Sequence, residues 1–231
     1  MIKAEQILFS QGFGTRHECR GIICGGRFKV GGKVIEDPET LLDPAGLTFS
    51  VDDEVWPYYE KAIVLLNKPA GYECSLKPIH HPSVISLLPP PLRTRKMQPV
   101  GRLDQDTTGL LLFTDNGQLL HKLTHPKRHI DKVYKVTCVH PVTDSQIDKL
   151  LKGVVLKDSD ETIRAVACSK IDDKVIELTV DQGKYHQVKR MLSAVSNRVE
   201  SLERIKFGKL VLPSDLALGH WIWIDSEKDI Y

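Results

Sequence analysis

Asp104 and Asp106 stand in the stretch Gly-Arg-Leu-Asp-Gln-Asp-Thr-Thr-Gly-Leu-Leu-Leu-Phe, residues 101–113, where a polar turn runs straight into a wholly apolar segment. A carboxylate fixed at the rim of a core can be aimed and partly desolvated, which suits it to act as a nucleophile or general acid. Leu110, Leu111, Leu112 and Phe113 do not alternate with polar residues, so they read as a strand buried on both faces, with Gly109 letting the chain turn into it. Two further features could join this chemistry: Tyr134, inside a strand over about Lys132–Val139, and the basic helix start Gly183-Lys184-Tyr185-His186-Gln187-Val188-Lys189-Arg190. Taken singly, each has an ordinary explanation. An aspartate before Thr-Thr-Gly caps a turn, a strand tyrosine packs with its hydroxyl at the surface, and Lys189 and Arg190 suit a solvated helix edge. Asp104 and Asp106 are two positions apart, so in an extended chain their side chains diverge. That spacing argues against paired-carboxylate glycosidase chemistry and predicts that Asp106 anchors its loop through Thr107, Thr108 or a backbone amide.

Several standard sites are missing from the sequence. There is no G-x-x-x-x-G-K-[ST] phosphate loop and no G-x-S-x-G elbow, and Gly12-Phe13-Gly14 lacks the third glycine and preceding strand of a dinucleotide fingerprint. His121, His125 and His129 recur every four residues, but Pro126 would end or kink a helix within the array, so they read as solvated or RNA-facing histidines and no metal is expected. Five scattered cysteines without a Cys-x-x-Cys pair argue against a disulfide framework.

The elements that must position the candidate residues follow from the patterning. The chain has 231 residues, 41% hydrophobic and 27% charged, with no apolar run approaching the roughly 20 residues of a bilayer crossing, so no membrane association and a cytosolic setting are expected. Lys3, Glu5 and Gln6 interrupt the N-terminus before a signal-peptide core could form. Residues 1–57 read as a small domain: a helix over about Ala4–Gln11, a turn, a second helix begun by Thr15 and stopped at Gly25-Gly26, then a strand and a Gly31-Gly32 hairpin. The Trp56–Glu60 stretch, broken by Pro57, has the look of a linker, set at residues 58–61, and 62–231 reads as a second domain. That domain opens on an apolar strand, Ala62–Leu66, and has a Pro89-Pro90-Pro91 loop. Strands are expected over about Leu110–Thr114, Lys132–Val139, Thr162–Ser169 and Val175–Val180, and a helix over about Tyr185–Val195. Strands and helices mix without a βαβ rhythm, which predicts an α+β fold around a large mixed, mainly antiparallel sheet.

Net charge is only +2, so its distribution must carry any argument about polyanions. Arg16, Arg20, Arg27, Lys29 and Lys33 face only Glu18 within their own segment, whereas Glu36–Glu54 is acidic, and a localised basic face of that kind suits phosphate contact. The pattern Thr15-Arg16, Arg20, Ile23, Gly26-Arg27, Val30, Gly32-Lys33, Val34 resembles the S4 RNA-binding domain.

Further along, Leu66-Asn67-Lys68-Pro69-Ala70-Gly71, the Gly-Arg-Leu-Asp block, Lys132-Val133-Tyr134 and Gly183–Met191 occur in an order that resembles the ribosomal type of pseudouridine synthase, over residues 62 to 225. The resemblance implies a cofactor-free isomerase that turns one uridine of 16S rRNA, free or in a small-subunit assembly intermediate, into pseudouridine. Relatives with the same motifs act on 23S or transfer RNA, and a non-catalytic RNA-binding or assembly protein is the alternative of a different class. It implies further that Asp104 is the nucleophile, that Lys189 pairs with it, that Tyr134 packs beside the target base as the candidate remover of the C5 proton, and that Arg102 fills the gap left by a flipped base. Lys68 and Arg190 join the basic residues of the N-terminal domain as expected RNA contacts, and a monomer suffices.

Overall fold

Thr15 begins the second helix of the chain by exchanging bonds with Glu18: its hydroxyl accepts from the Glu18 N–H at 3.3 Å, and the Glu18 carboxylate accepts from the Thr15 N–H at 2.7 Å. In this computed structural model, which describes residues 1–157 and 161–231, that helix (Arg16–Cys24) packs with Ala4–Ser10. A four-stranded antiparallel sheet follows, in the order Lys33–Val34, Phe28–Val30, Thr48–Val51, Glu54–Pro57. Ile7, Leu8, Ile23, Phe28, Phe49 and Trp56 form the core of this unit. Trp56 and Pro57 are strand residues here, with the Trp56 ring edge-on to Phe13 at 5.3 Å; the broken stretch read from Pro57 begins only after them.

The chain divides into one unit of Met1–Ala62 with Leu88–Met97 and another of Ile63–Leu87 with Gln98–Tyr231. The proline triplet expected as a loop of the second domain is instead the start of a short helix, Pro90–Thr94, in the first. Proline is suited to the first turn because no intrahelical partner awaits its missing N–H. Arg95 fastens the segment, donating to Gln11 Oε1 at 2.5 Å and to the Tyr59 carbonyl at 2.8 Å.

The second unit is built on a nine-stranded sheet. Its main path runs Ala167–Asp172, Val175–Val180, Lys132–Cys138, Val199–Phe207, Thr108–Thr114, Ile63–Lys68, Trp221–Trp223, and the Gln98–Pro99 and Leu210–Val211 strands pair beside it. Every pairing is antiparallel except that of Val199–Phe207 with Thr108–Thr114, which makes the sheet mixed and mainly antiparallel, as expected. Leu110, Leu111 and Phe113 are fully buried, matching the reading of a strand covered on both faces. The expected Thr162–Ser169 strand is two shorter ones, Thr162–Ile163 and Ala167–Asp172, serving different sheets. No helix among the described residues is long and apolar enough to cross a membrane.

Gly109 sets the approach of the two central strands. Its φ of +100° is one that side chains rarely adopt, and a Cβ there would sit 2.8 Å from the Arg204 backbone nitrogen. Gly109→Ala is therefore expected to destabilise the protein by about 2–4 kcal/mol through strain and strand separation, read as a lowered unfolding midpoint.

Candidate active site

Lys68 ends the Ile63–Lys68 strand and has no solvent exposure. Its Nζ donates to the carbonyls of Pro69 (3.0 Å), Asp104 (3.1 Å), Gln105 (3.2 Å) and Thr107 (2.8 Å). Three ammonium protons shared among four carbonyls fix the loop that carries the two aspartates, and burial pushes the Lys68 pKa below its ordinary value. The expectation that Lys68 touches RNA is therefore corrected: it is a strut inside the protein. The Leu103 N–H to Cys74 Sγ (3.4 Å) and the Gly71 N–H to the Gln105 carbonyl (2.8 Å) tie the same loop from outside.

Thus braced, Asp104 presents a side chain that is 28% exposed, half-buried rather than enclosed. Its Oδ2 lies 3.1 Å from Lys189 Nζ and its Oδ1 3.4 Å from His186 Nε2. The same ammonium also donates to both oxygens of Asp106, at 2.7 and 2.9 Å. The expected divergence of the two carboxylates is wrong, because the loop is a turn, closed by the Thr107 N–H on the Asp104 carbonyl at 3.1 Å. Nor does Asp106 hold Thr107, whose buried hydroxyl has no hydrogen-bond partner among the described residues. Burial alone would lower the Lys189 pKa, but its bonds to Asp106 and Asp104 outweigh that and raise it. Burial would raise the Asp106 carboxyl, yet the Lys189 ammonium holds it below the ordinary carboxylate value.

Lys189 belongs to the Gln187–Ala194 helix, which starts from His186 in a left-handed conformation (φ 47°, ψ 33°). Strained backbone of this kind concentrates at functional sites. The Gln187 side chain accepts from the Lys184 N–H at 2.9 Å, and the His186 ring stacks on Tyr185 at 3.8 Å. His186 stood in the basic helix start without being singled out; a ring nitrogen one helical turn before the lysine was the available signal.

Tyr134, 9% exposed, lines a cleft of about 70 Å³ together with Arg102, Asp104, His186 and Lys189. The sequence-expected nucleophile, tyrosine, basic partner and arginine are thus brought together. Arg102 is exposed, and Arg190 Nη1 donates to the Tyr185 carbonyl at 3.4 Å. A larger cavity of about 920 Å³ shares Arg102, Tyr134 and Lys184 with the cleft. Ligand pockets typically span ~300–1,000 Å³, so the larger space has the volume of a small-ligand pocket and adjoins the cleft that holds Asp104.

The basic residues of the N-terminal unit are not the open face their spacing suggested. Arg20 lies 2.7 Å from Glu5 and 3.2 Å from Glu39, Arg16 lies 3.9 Å from Glu5, Arg27 pairs with Asp52, and Lys29 lies 2.6 Å from Asp53. Lys33 is exposed on its hairpin strand. Distant acidic residues fold back onto the cations, which a reading along the segment could not register. The histidine array also dissolves: its helix stops at Thr124, and His129 Nδ1 lies 2.9 Å from Asp181.

A lysine-bridged aspartate loop beside a strand tyrosine on a mixed sheet, in a chain that also carries a helix-and-hairpin unit, coincides with what comparison finds. The RNA pseudouridylate synthase family model matches residues 62–194, and the S4 domain model matches residues 5–46. The chain belongs to the RNA pseudouridylate synthase family, and it is a pseudouridine synthase, an isomerase. It is 34% identical over 230 residues to the uncharacterized RNA pseudouridine synthase YtzG of Bacillus subtilis, covering 98% of this chain and 96% of that protein. It is 37% identical over 206 residues to ribosomal small subunit pseudouridine synthase A of Escherichia coli, covering 89% of each. A solved pseudouridylate synthase superposes with a TM-score of 0.69 at 31% identity, covering 100% of this chain and 98% of that one.

The bridge sets a pH window. With the Asp106 pKa lowered, its contribution is present above the unfolded carboxyl value near 4 and is lost as pH falls through the folded value. With the Lys189 pKa raised, its contribution is present below about 10.5 and is lost as pH rises through the folded value. The difference in unfolding midpoint between the wild type and Asp106→Asn should be largest between about pH 5 and 9 and shrink as pH falls below about 4. Midpoints measured across pH check this; a constant difference would mean that the carboxylate charge is irrelevant.

Proposed function

We propose that the protein converts a uridine of small-subunit (16S) rRNA to pseudouridine, with Asp104 as the nucleophile. The observation that carries this reading is the Asp104 carboxylate held by Lys189 on one oxygen and approached by His186 on the other, in a cleft shared with Tyr134. Lys189, 3.1 Å from Oδ2, aims that carboxylate.

In this reading the target base leaves its helix at a cost of roughly a few kcal/mol, and Arg102 occupies the space it leaves. Asp104 attacks the ribose or the uracil ring, and the bond from N1 to C1′ breaks. The uracil turns, C5 bonds to C1′, the C5 proton leaves and N1 gains one, and the aspartate is released. The product has the same atoms as the substrate, so the chemistry balances without a redox cofactor. Tyr134, against the base, is the candidate that takes the C5 proton; an unaided phenol, with a pKa near 10, needs help to do so at neutral pH.

Two supports favour small-subunit rRNA: the relatives named for the ribosomal small subunit, and the match to an S4 domain in the N-terminal unit. Exposed ion pairs are worth about 0–1 kcal/mol, so Arg20 can exchange the exposed Glu39 for an RNA phosphate at little cost, and Arg16, 3.9 Å from Glu5, can turn to phosphate while Arg20 keeps the buried Glu5 paired. The substrate, free rRNA or an assembly intermediate, is taken by a cytosolic monomer.

Carbodiimide mapping of 16S and 23S rRNA incubated with the protein should show one new pseudouridine, in 16S rRNA. Signal confined to 23S rRNA would reject the substrate. Asp104→Asn should abolish turnover while RNA affinity stays within a few-fold; retained turnover would remove Asp104 as nucleophile. Replacing both Arg16 and Arg20 with Gln should reduce the slope of log affinity against log salt by about two, whereas an unchanged slope would leave them as internal partners of Glu5 and Glu39.

A further inference from the structure

The floor of the larger cavity holds two cations that the chemistry above does not use. Arg204 stands on the Val199–Phe207 strand directly opposite Tyr134, and Lys132 lies two residues before Tyr134 on the same face of its own strand. Arg204 is 2% exposed. Its Nε donates to the Leu110 carbonyl at 2.8 Å, but its buried Nη2 has no hydrogen-bond partner among the described residues. Lys132 Nζ donates only to carbonyls, Ile130 at 2.6 Å and Asp181 at 3.4 Å. Both cations flank one aromatic ring: Lys132 Nζ is 5.7 Å and Arg204 Cζ 5.3 Å from the Phe207 centroid.

Among the described residues no carboxylate lies within ion-pair distance of either. The nearby Asp181 carboxylate is engaged with His129 at 2.9 Å, and Glu161, also on the cavity wall, pairs with Lys184. A buried guanidinium beside a half-buried ammonium, with no carboxylate paired to either, is costly, and a guanidinium nitrogen left without an acceptor adds to that cost. Burial, reinforced by the Arg204 charge, pushes the Lys132 pKa down to about 8. A monoanion between them would offset all three penalties. Uracil is neutral and would not.

We propose that Lys132 and Arg204 form a subsite for one backbone phosphodiester of the RNA strand that carries the target nucleotide. The proposal rests on the reading of Asp104 and Tyr134 as the uridine site. Strand geometry sets the reach: Lys132 and Tyr134, two residues apart, are separated by roughly 7 Å along the sheet, within the span of a nucleotide and its phosphate. Because Arg102, Tyr134 and Lys184 border both spaces, an anion over Lys132 belongs to the molecule whose base lies at Asp104. A guanidinium suits this role, since its fork can keep the Leu110 carbonyl on Nε while Nη2 turns to the ligand.

The test is a binding measurement on the full chain. The probe is a small-subunit rRNA hairpin containing the target uridine, its flanking phosphates replaced one at a time by uncharged methylphosphonate. One replacement should weaken wild-type binding by about tenfold, the loss expected for a charge-assisted contact. Lys132→Gln should bind the unmodified hairpin about tenfold more weakly, lose about one from the salt slope, and be indifferent to the replacement that hurts the wild type. A wild type that tolerates every replacement, or a Lys132→Gln protein that responds to each as the wild type does, overturns the subsite and leaves two internal cations. Arg204→Lys, with unfolding monitored, is the second variant and should show the same indifference. The substitution scan on the wild type stands even if that variant fails to fold. Pseudouridine formation is scored separately: a wild type that binds with this pattern but makes no pseudouridine would reject the nucleophile assignment and keep the subsite.

Discussion

One ammonium group, that of Lys189, holds two carboxylates that would otherwise repel each other. Asp104 and Asp106 are close enough to share it. That places strict demands on three separate pieces of chain. The loop must curl so that alternate residues face the same way, the helix must deliver a lysine at its third residue, and the residue ahead of the helix must bend through a left-handed conformation. Because the pair is only partly shielded from water, its value lies in orientation more than in stability.

Lysine plays two opposite parts here. Lys189 reaches carboxylates at the mouth of a cleft and is held charged by them. Lys68 reaches only carbonyls in the interior, where burial weakens its proton affinity. The second supports the first, since the carbonyls of the aspartate loop converge on one buried ammonium. The sheet supplies the remaining rigidity: the loop leads into a strand locked between Ile63–Lys68 on one side and Val199–Phe207 on the other.

Much of this was legible in the residues. The apolar run after the aspartates, the helix opened by Thr15 and the Gly31-Gly32 hairpin are local signals, and each sits where its pattern puts it. The Val199–Phe207 strand was not foreseen, although it is the longest in the sheet. Glu200, Glu203, Arg204 and Lys206 make it look like a solvated segment, yet one of those charges, Arg204, is buried with its Nε on the Leu110 carbonyl. Lys68 misled for the converse reason, since a lysine beside Pro69 and Gly71 looks like a surface turn until the carbonyls of a distant loop close around it. Ion pairs between segments distant in sequence, such as Arg20 with Glu5 and Glu39, leave no trace in local charge counts.

The assignment of Leu88–Met97 to the same unit as Met1–Ala62 changes how the two units can be regarded as modules. The chain passes from one unit to the other after residues 62, 87 and 97, three passages in all. A piece cut at a single point near residue 60 would lose the Arg95 guanidinium from Gln11 and from the Tyr59 carbonyl, together with the helix that Pro90 begins. The smaller unit is thus not a bead on a string. To transplant it intact, the Leu88–Met97 segment must be carried along with it.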